Sequence, residues 1–329
     1  MSSQTDTDTT AEVRHFIDVD DLSRDELFAV LDRAAAYKLA QQNGDDHADL
    51  AGQTLGMLFQ KPSTRTRVSF ETGMTQLGGH AIFLGADDIQ LGRGEPLKDT
   101  SRTLSRYVDC VMARVFKHEN MEVLAEYADV PIVNGLTDDA HPCQTLADLL
   151  TIREHFGGFD GVSGSEASGG SSDGRSDGVS VTWIGDGNNV AQSLVLGCAI
   201  TGIDLTVVTP PEHAVDDAVV ERAAELGEAP ETTTDPLEAV AGANVVYTDV
   251  WVSMGQEDER DTRLRRFDGF QVNETLLEAA DDPVVMHCLP AHRGEEITDD
   301  VIESDQSIVF EQAENRLHAQ KALLATLVE

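Results

Sequence analysis

The sequence predicts an α/β fold of two domains, each with a parallel sheet flanked by helices. Two observations support this prediction. Short apolar, strand-like runs alternate with helical stretches along almost the whole chain, a pattern typical of parallel sheets. At 329 residues the chain also exceeds the usual size of a single hydrophobic core. Ligands of such folds bind at the carboxyl ends of the strands, so polar residues that follow strands are the candidates for function.

The first half of the chain is predicted to form one sheet with its helices. Residues 1–12 are polar and acidic and are expected to be a disordered tail, followed by a short segment around Phe16 and Ile17. A helix is predicted over 23–41, where apolar residues follow helical spacing. The other elements of this half are strands at 54–59, 80–84, 110–114 and 131–134, and helices at 67–77, 97–107, 121–127 and 144–155.

A break in composition separates the two halves. Between 157 and 178, 14 of 22 residues are Gly or Ser, which cannot bury a core and indicates a flexible surface insertion. Beyond it we predict strands at 179–184, 205–209, 245–249 and 284–288, and helices at 190–201, 214–226, 236–240, 273–280 and 312–327. We assign 13–150 with 312–329 to a first domain, so that the last helix packs back on it, and 151–311 to a second.

The charge of the chain excludes several classes of partner. Sixty acidic against 23 basic residues give a formal net charge of -37, so neither nucleic acid nor an anionic membrane is an expected partner. Self-repulsion of this size would strain a compact fold in dilute buffer, whereas molar salt shortens the Debye length to about 3 Å. We therefore predict a salt-adapted, halophilic protein.

The apolar and cysteine patterns predict a cytoplasmic protein. No apolar run approaches the ~20 residues needed to span a bilayer, and 1–12 lack the basic and apolar regions of a signal peptide. The four cysteines show no C-x-x-C pair and no regular spacing, so no disulfide framework is expected. This pattern fits a reducing compartment.

Residues 63–67, Ser-Thr-Arg-Thr-Arg, lie where the predicted strand at 54–59 ends and a helix begins. Ser63 can cap this helix, whose first N–H groups and dipole attract an anion. Arg65 and Arg67 add guanidinium groups, whose planar forks bind phosphate through paired hydrogen bonds. The pentad therefore predicts a phosphate site. The alternative is an amphipathic helix start with two solvated arginines.

Further polar clusters follow other predicted strands. They are Arg114, the run His-Pro-Cys-Gln at 141–144, Gly-Asp-Gly-Asn-Asn at 185–189, Asp-Val-Trp-Val-Ser-Met-Gly at 249–255 and His-Cys-Leu-Pro at 287–290. Strand-end loops of a parallel sheet lie at one edge, so several clusters in this position indicate a ligand site. Within them, His141 can offer a neutral N–H to a carbonyl oxygen.

The glycines of the 185–189 run also suggest a dinucleotide-binding loop. That interpretation is disfavoured because the third glycine position is Val190 and no acidic residue closes the following strand. The amides of Asn188 and Asn189 could instead bind a polar substrate such as an amino acid. A purely structural turn is the remaining alternative.

Metal and nucleophile chemistry are less well supported. A zinc site could draw on five residues, but their spacing matches no zinc motif: His141, Cys143, His287, Cys288 and His292. Cys288 as a nucleophile lacks a well-placed base, because the side chain of His287 should point to the opposite face of the strand. We therefore predict neither a metal nor a cofactor, and interpret Cys288 as a polar ligand contact.

Taken together, these motifs resemble those of the aspartate/ornithine carbamoyltransferase family over about 14–327. The Ser-Thr-Arg-Thr run at 63–66 and the His-Pro-x-Gln run at 141–144 resemble its carbamoyl phosphate motifs. The Ser-Met-Gly run at 253–255 and the His-Cys-Leu-Pro run at 287–290 are similar to its ornithine-specific branch and are missing from the aspartate branch.

The resemblance implies a Rossmann-like second domain and a transferase reaction in arginine metabolism. The carbamoyl group of carbamoyl phosphate would pass to the δ-amine of L-ornithine, giving L-citrulline and phosphate without a cofactor. Two alternatives stay open: another amine acceptor (aspartate, putrescine or an acylated ornithine), or a non-catalytic paralogue that only binds carbamoyl phosphate. The family forms trimers, in which Gln90 would reach the phosphate of a neighbouring subunit's site.

The resemblance also implies roles for individual residues. Carbamoyl phosphate would be bound by Ser63, Thr64, Arg65, Thr66, Gln90, Arg114, His141, Gln144, Cys288, Leu289 and Arg316. Ornithine would be bound by Asn189, Asp249, Ser253 and Met254. The catalytic residues would be Arg114 and His141, which with Thr66 stabilise the carbamoyl oxygen, and Asp249 and Cys288, which help to deprotonate the amine.

Overall fold

The computed structural model of this protein describes residues 13–85, 94–159 and 178–329. Three predictions from the sequence therefore lie wholly or largely outside the described residues. They are the tail at 1–12, the shared ligand Gln90 and most of the Gly/Ser-rich insertion.

The apolar runs of the first half form one parallel sheet. Its strands are β1 (Thr54–Phe59), β2 (His80–Gly85), β3 (Cys110–Arg114) and β4 (Ile132–Leu136). They are arranged in the order β2–β1–β3–β4. β3 and β4 are buried along their whole length, as expected of strands covered on both faces. The edge strand β2 keeps partly exposed side chains.

Helices connect these strands and cover the sheet. They are α1 (Arg24–Asn43), α2 (Thr64–Gln76), α3 (Leu97–Leu104), α4 (His118–Glu126) and α5 (Pro142–Phe156). Local sequence sets their ends. Ser23 and Glu26 form a capping box at the start of α1, and Gly44 ends it in the left-handed conformation at φ 75°.

The second half forms a five-stranded parallel sheet. Its strands are β5 (Ser180–Ile184), β6 (Asp204–Val208), β7 (Glu231–Thr233), β8 (Val245–Thr248) and β9 (Val284–His287). The order is β7–β6–β5–β8–β9, so the chain leaves β5 in one direction and returns to its other side at β8. The loops that follow β5 and β8 therefore diverge at a topological switch point, where α/β sheets bind ligands.

The helices of the second half are α6 (Asn189–Thr201), α7 (Asp217–Leu226), α8 (Pro236–Ala239), α9 (Arg260–Arg266), α10 (Glu274–Leu277), α11 (Asp299–Ile302) and α12 (Val309–Val328). α12 packs against α1, α2 and α5. This confirms the prediction that the last helix returns to the first sheet. Because α5 also packs against α6, the two sheets are joined through adjoining helices.

The predicted α/β class is confirmed, and the differences concern short elements. β7, α9 and α11 were not predicted, because Glu-Thr-Thr at β7 has no apolar residue and the two helices are short and highly charged. The helix predicted at 97–107 ends at Leu104. The helix predicted at 273–280 is the single turn of α10.

The predicted insertion begins later than 157. Gly157 ends α5 in the left-handed conformation, and Phe159 is buried with its ring edge against Phe28. The apolar Phe159 explains the difference, because it belongs to the core and not to a solvated segment. Within the described residues, no helix combines the length and apolar character that crossing a membrane would require.

Candidate active site

A cleft of about 960 Å³ opens where the carboxyl ends of the two sheets face each other. Its walls are the ends of β3 and β4, the loops that follow β1, β3, β4, β5, β8 and β9, and the first turns of α2, α5 and α6, together with Arg263 of α9 and Arg316 of α12. Thirteen of its 30 lining residues were assigned to a substrate from the sequence: Ser63, Thr64, Arg65, Arg114, His141, Gln144, Asn189, Asp249, Ser253, Met254, Cys288, Leu289 and Arg316. The structure thus brings the separate motifs into one place.

The turn at the start of α2 has the predicted anion-binding form. Ser63 caps the helix, its Oγ accepting the Thr66 N–H at 3.3 Å. Arg65 is half-buried and lines the cleft. Among the described residues assigned to carbamoyl phosphate, Thr66 is the exception, because it is fully buried and does not line the cleft. Its Oγ1 instead accepts an N–H from Arg316 at 2.9 Å, so Thr66 holds the arginine that does line it.

The second arginine of the pentad does not join the first. Two residues further along the helix, Arg67 is turned by about 200° from Arg65. Its Nε donates to Glu71 at 2.9 Å, and its guanidinium lies 3.9 Å from the ring centroid of Phe83. The expectation of two guanidiniums at the phosphate site is therefore wrong for Arg67, whose contacts in the described residues are those of a surface arginine.

Two buried arginines complete this wall of the cleft. Arg316 donates to the Oε1 of Gln144 at 2.9 Å as well as to Thr66. The buried Nε atoms of Arg114 and Arg316 have no hydrogen-bond partner in the described structure. Burial, with the positive charges of Arg316 and Arg65, lowers the pKa of Arg114 to about 9. Three guanidiniums, two of them with unsatisfied donors, make this wall a site for an anion.

His141 lies at the start of α5, where its backbone N–H donates to Ser193 Oγ at 2.8 Å. Burial and the neighbouring charges of Arg316 and Arg114 hold the pKa of His141 well below its usual range, so the imidazole is neutral. Its Nε2 faces an N–H of Arg316 at 3.5 Å, which places the proton on Nδ1. Nδ1 is buried without a partner in the described structure, and its N–H is thus available to a ligand oxygen.

The opposite wall carries a carboxylate and a thiol. Cys288 Sγ donates to Asp249 Oδ1 at 3.0 Å, and Asn188 Nδ2 donates to the other carboxylate oxygen at 2.9 Å. Burial and the Asp249 charge raise the pKa of Cys288 well above its usual value. The thiol therefore stays protonated, which fits the predicted polar contact better than a nucleophile.

The asparagines after β5 differ in role. Asn188 caps α6, its Oδ1 accepting the N–H groups of Val190 and Ala191 at 3.0 and 3.1 Å. Both asparagines line the cleft, and Asn189 Nδ2 donates to the Thr137 carbonyl at 2.6 Å. Only Asn189 was assigned to ornithine from the sequence. Asn188 orients Asp249, a contact that no spacing in the sequence could show.

The Ser253–Gly255 segment lines the cleft, and Met254 is 46% exposed. It is anchored by residues that sequence reasoning missed. Arg263 of α9 donates to Asp186 Oδ2 at 2.8 Å and to the Trp251 carbonyl at 3.0 Å. The signal in the sequence was Asp186 between two glycines, an acidic residue in an otherwise neutral loop.

The glycine loop after β5 serves packing. A Cβ at Gly187 would lie 2.6 Å from the carbonyl oxygen of Ala214, so only glycine fits against the segment that follows β6. Close packing therefore explains why residue 187 is a glycine.

From the sequence, the side chains of His287 and Cys288 were expected to point to opposite faces of the strand, and their spacing matched no metal motif. His287 and Cys288 do converge with Asp249, and their ligand atoms lie within 4.8 Å of one another. His287 already has partners on both ring nitrogens: Nε2 lies 3.1 Å from Glu296 Oε1, and Nδ1 accepts the Leu289 N–H at 2.9 Å. His287 thereby fixes the backbone at Leu289, which lines the cleft at φ 58°.

The fold and the cleft define a two-domain α/β enzyme that binds an anionic substrate at one sheet edge and a second polar substrate at the facing edge. Comparison with known proteins identifies the group. The chain belongs to the aspartate/ornithine carbamoyltransferase family: residues 14–154 match its carbamoyl-P binding domain and 177–327 its Asp/Orn binding domain.

Individual relatives agree with this assignment. The chain is 60% identical to the ornithine carbamoyltransferase of Haloquadratum walsbyi, over 95% of this chain and 97% of that protein. It is 50% identical to the anabolic ornithine carbamoyltransferase of Pyrococcus furiosus, over 96% of each chain. A solved ornithine carbamoyltransferase from P. furiosus superposes with a TM-score of 0.86 over 95% of this chain and 96% of that one. The enzyme from Thermus thermophilus gives 0.82 at 41% identity, over 96% and 99%.

Proposed function

We propose that this chain transfers the carbamoyl group of carbamoyl phosphate to the δ-amine of L-ornithine, which forms L-citrulline and phosphate. The observation that carries the proposal is the pairing of two walls in one cleft. One wall holds the guanidiniums of Arg65, Arg114 and Arg316, and the other holds the Asp249–Cys288 pair. The close relatives that bear the name ornithine carbamoyltransferase support the same reaction.

The phosphate lies on the first wall. The N-terminal turn of α2, with Ser63 and Thr64, offers backbone N–H groups and the helix dipole, while Arg65 and Arg316 supply charge. Gln144 orients Arg316 by accepting one of its N–H groups. These contacts also stabilise the phosphate as it leaves, because its negative charge grows while the bond to the carbamoyl carbon breaks.

The carbamoyl oxygen is polarised by Arg114 and His141. Both present donors that lack partners in the described structure, the Arg114 Nε and the His141 Nδ1–H. When the amine nitrogen bonds to the carbonyl carbon, this oxygen becomes an oxyanion, and the donors stabilise it. The sequence prediction also included Thr66 as a third donor. Since Thr66 lies behind Arg316, we assign it a supporting role.

The amine lies on the second wall. Its ordinary pKa is ~10.4, so presenting the free amine at pH 7 costs about 5 kcal/mol. Asp249 holds the ammonium and accepts one of its protons, which frees the nitrogen lone pair for attack on the carbonyl carbon. The leaving phosphate takes the second proton as the C–N bond forms and the C–O bond breaks. Cys288 fixes the Asp249 carboxylate, while Asn189, Ser253 and Met254, which line the cleft, hold the α-amino and carboxylate groups of ornithine.

The carboxylate of Asp249 also discriminates among acceptors. A cationic side chain is attracted to it, whereas an aspartate acceptor would bring further carboxylates to the same wall. Carbamoyl transfer should be measured in molar KCl with ornithine, aspartate, putrescine and N-acetylornithine. Ornithine is expected to be preferred; preference for another amine would move the proposal to that substrate, and binding of carbamoyl phosphate without any turnover would favour a non-catalytic paralogue.

We also propose an oligomeric state, a cellular location and a domain division for this chain. We propose a cytoplasmic homotrimer whose sites are shared through Gln90, and the domain division 13–150 with 312–329 against 151–311. Apolar exposure at the edge of the first sheet, at Val68 (54%) and Ile82 (40%), supports an interface there. Sedimentation of a monomer at working concentrations would contradict the trimer.

Salt adaptation is proposed from the net charge of -37. Thermal unfolding across a KCl series should show stability rising from dilute buffer to molar salt, because screening relieves self-repulsion. Stability that stays level or falls along the series would contradict it.

A further inference from the structure

Asp148 is a fully buried carboxylate outside the residues assigned to either substrate. It lies on α5, one turn after Gln144. Its Oδ1 accepts N–H groups from Gln144 at 2.8 Å and from Gln312 at 2.7 Å, and its Oδ2 accepts the hydroxyl of Tyr247 at 3.1 Å. All three donors are neutral, so the carboxylate forms no ion pair with them. Its effect is to fix the orientation of the two amides and the hydroxyl.

The two glutamines pass this fixed orientation on to other residues. An amide whose NH2 group donates to Asp148 has its carbonyl oxygen free to accept a hydrogen bond on the other side. Gln144 presents its Oε1 to Arg316 at 2.9 Å. Gln312 presents its Oε1 to the backbone N–H of His287, also at 2.9 Å. If either amide turned over, an N–H group would face another N–H group. The shared acceptor at Asp148 excludes that arrangement.

The relays end on opposite walls of the cleft. Arg316 lines the phosphate wall and binds Thr66, and His287 immediately precedes Cys288 on the amine wall. Tyr247 belongs to β8, whose end carries Asp249. One side chain of α5 is thus connected to both walls of the cleft and to the second sheet.

We propose that Asp148 is a positioning residue. Through Gln144 it orients Arg316 for carbamoyl phosphate, and through Gln312 it fixes the backbone at His287, next to Cys288, for ornithine. This inference rests on the proposed function. Burial raises the pKa of Asp148 to about 7. The protonated acid can donate to Tyr247 from Oδ2 and still accept both amides at Oδ1, so the orientation of the amides survives protonation. The other titratable groups around it are Arg316, Cys288 and Cys198.

The test compares three variants with the wild-type enzyme. Asp148→Leu keeps the volume and removes the acceptor, whereas Asp148→Asn keeps a carbonyl for the two glutamines and an N–H for Tyr247. Thr151→Val is the matched control, because Thr151 lies on the next turn of α5, does not line the cleft, and accepts its hydrogen bond from Asn315 and from neither glutamine. Circular dichroism and thermal unfolding first establish that each variant is folded.

Loss of an oriented hydrogen bond to a charged group should raise KM for carbamoyl phosphate about tenfold in Asp148→Leu. KM for ornithine should rise with it. Asp148→Asn should recover both KM values to within about threefold, and Thr151→Val should leave them unchanged whatever its stability. Gln312→Leu, which cuts one relay, should raise KM for ornithine alone.

Wild-type KM values in Asp148→Leu would overturn the inference, as would an Asp148→Asn enzyme as impaired as Asp148→Leu, since charge and not direction would then matter. If Asp148→Leu does not fold, Gln312→Leu decides the question, and unchanged KM for ornithine there rejects the relay. Failure of the wild-type enzyme to form citrulline would instead reject the proposed function, so the two failures are distinguishable.

Discussion

The Ser63–Arg67 pentad contains two arginines that the structure separates, and replacing each by methionine tests this directly. Arg65 lines the cleft, whereas Arg67 pairs with Glu71 and lies over Phe83. Methionine keeps the aliphatic length of the side chain and removes the charge. Arg65→Met should therefore weaken carbamoyl phosphate binding strongly, and Arg67→Met should not.

The magnitude follows from the contacts that each arginine can make. A hydrogen bond between charged groups contributes about 1.5–3 kcal/mol, and a guanidinium can offer a phosphate two of them. Arg65 is half-buried, so we expect a net loss of about 3 kcal/mol, which is more than a hundredfold in Kd. The exposed Arg67–Glu71 pair contributes at most about 1 kcal/mol to stability and nothing to the ligand.

Calorimetry with carbamoyl phosphate at fixed KCl concentration, followed by steady-state kinetics, measures both effects. Fixed salt is essential because the chain carries a net charge of -37 and screening alters the approach of any anion. Equal losses of affinity in the two variants would refute the assignment of Arg65 to the cleft and Arg67 to the surface. Sedimentation of Arg67→Met separates an effect on assembly from an effect on binding.

Three further predictions concern the chemistry of the two walls. Arg114→Met should lower kcat on the order of 10²–10³-fold with a smaller change in KM, because it removes an oxyanion donor; an unchanged kcat at saturating substrate would contradict this. In the wild-type enzyme kcat should fall as pH rises through about 9, since the pKa of Arg114 is lowered to about 9 and its charged form stabilises the developing oxyanion better than its neutral form; a kcat at saturating substrate that stays level from about pH 7.5 to 10 would refute it. Cys288→Ser should keep most of the activity lost in Cys288→Ala, because the hydroxyl can still donate to Asp249, and equal inactivity of both would point to a nucleophilic sulfur.

Much of the fold was predictable because the signals that define it are local. Three strands of the first sheet, β1, β2 and β3, are mainly apolar runs, and Ser63 marks the start of α2 through its own side chain. β7 was not predictable in this way. Its residues Glu231–Thr233 are held by pairing with β6 and not by their own burial.

The candidate site was predictable where a residue type carries its own chemistry. Arginines, a histidine and an acid that each follow a strand are enough to indicate a ligand site at the sheet edges. The supporting contacts were not predictable. Arg263 reaches Asp186 across 77 residues, and Arg316 reaches Thr66 across 250. Arg67 shows the converse error, because a motif shared with Arg65 says nothing of which way a helix turns the second side chain.

The central claim is that one cleft joins the carbamoyl group of a phosphorylated donor to the δ-nitrogen of ornithine. The most direct measurement mixes the purified protein in molar KCl with ¹³C-labelled carbamoyl phosphate and L-ornithine, and follows the label by NMR beside the release of phosphate. We expect label in the ureido carbon of citrulline, with one phosphate released for each citrulline formed. Phosphate released without labelled citrulline, or label in a different product, would contradict it.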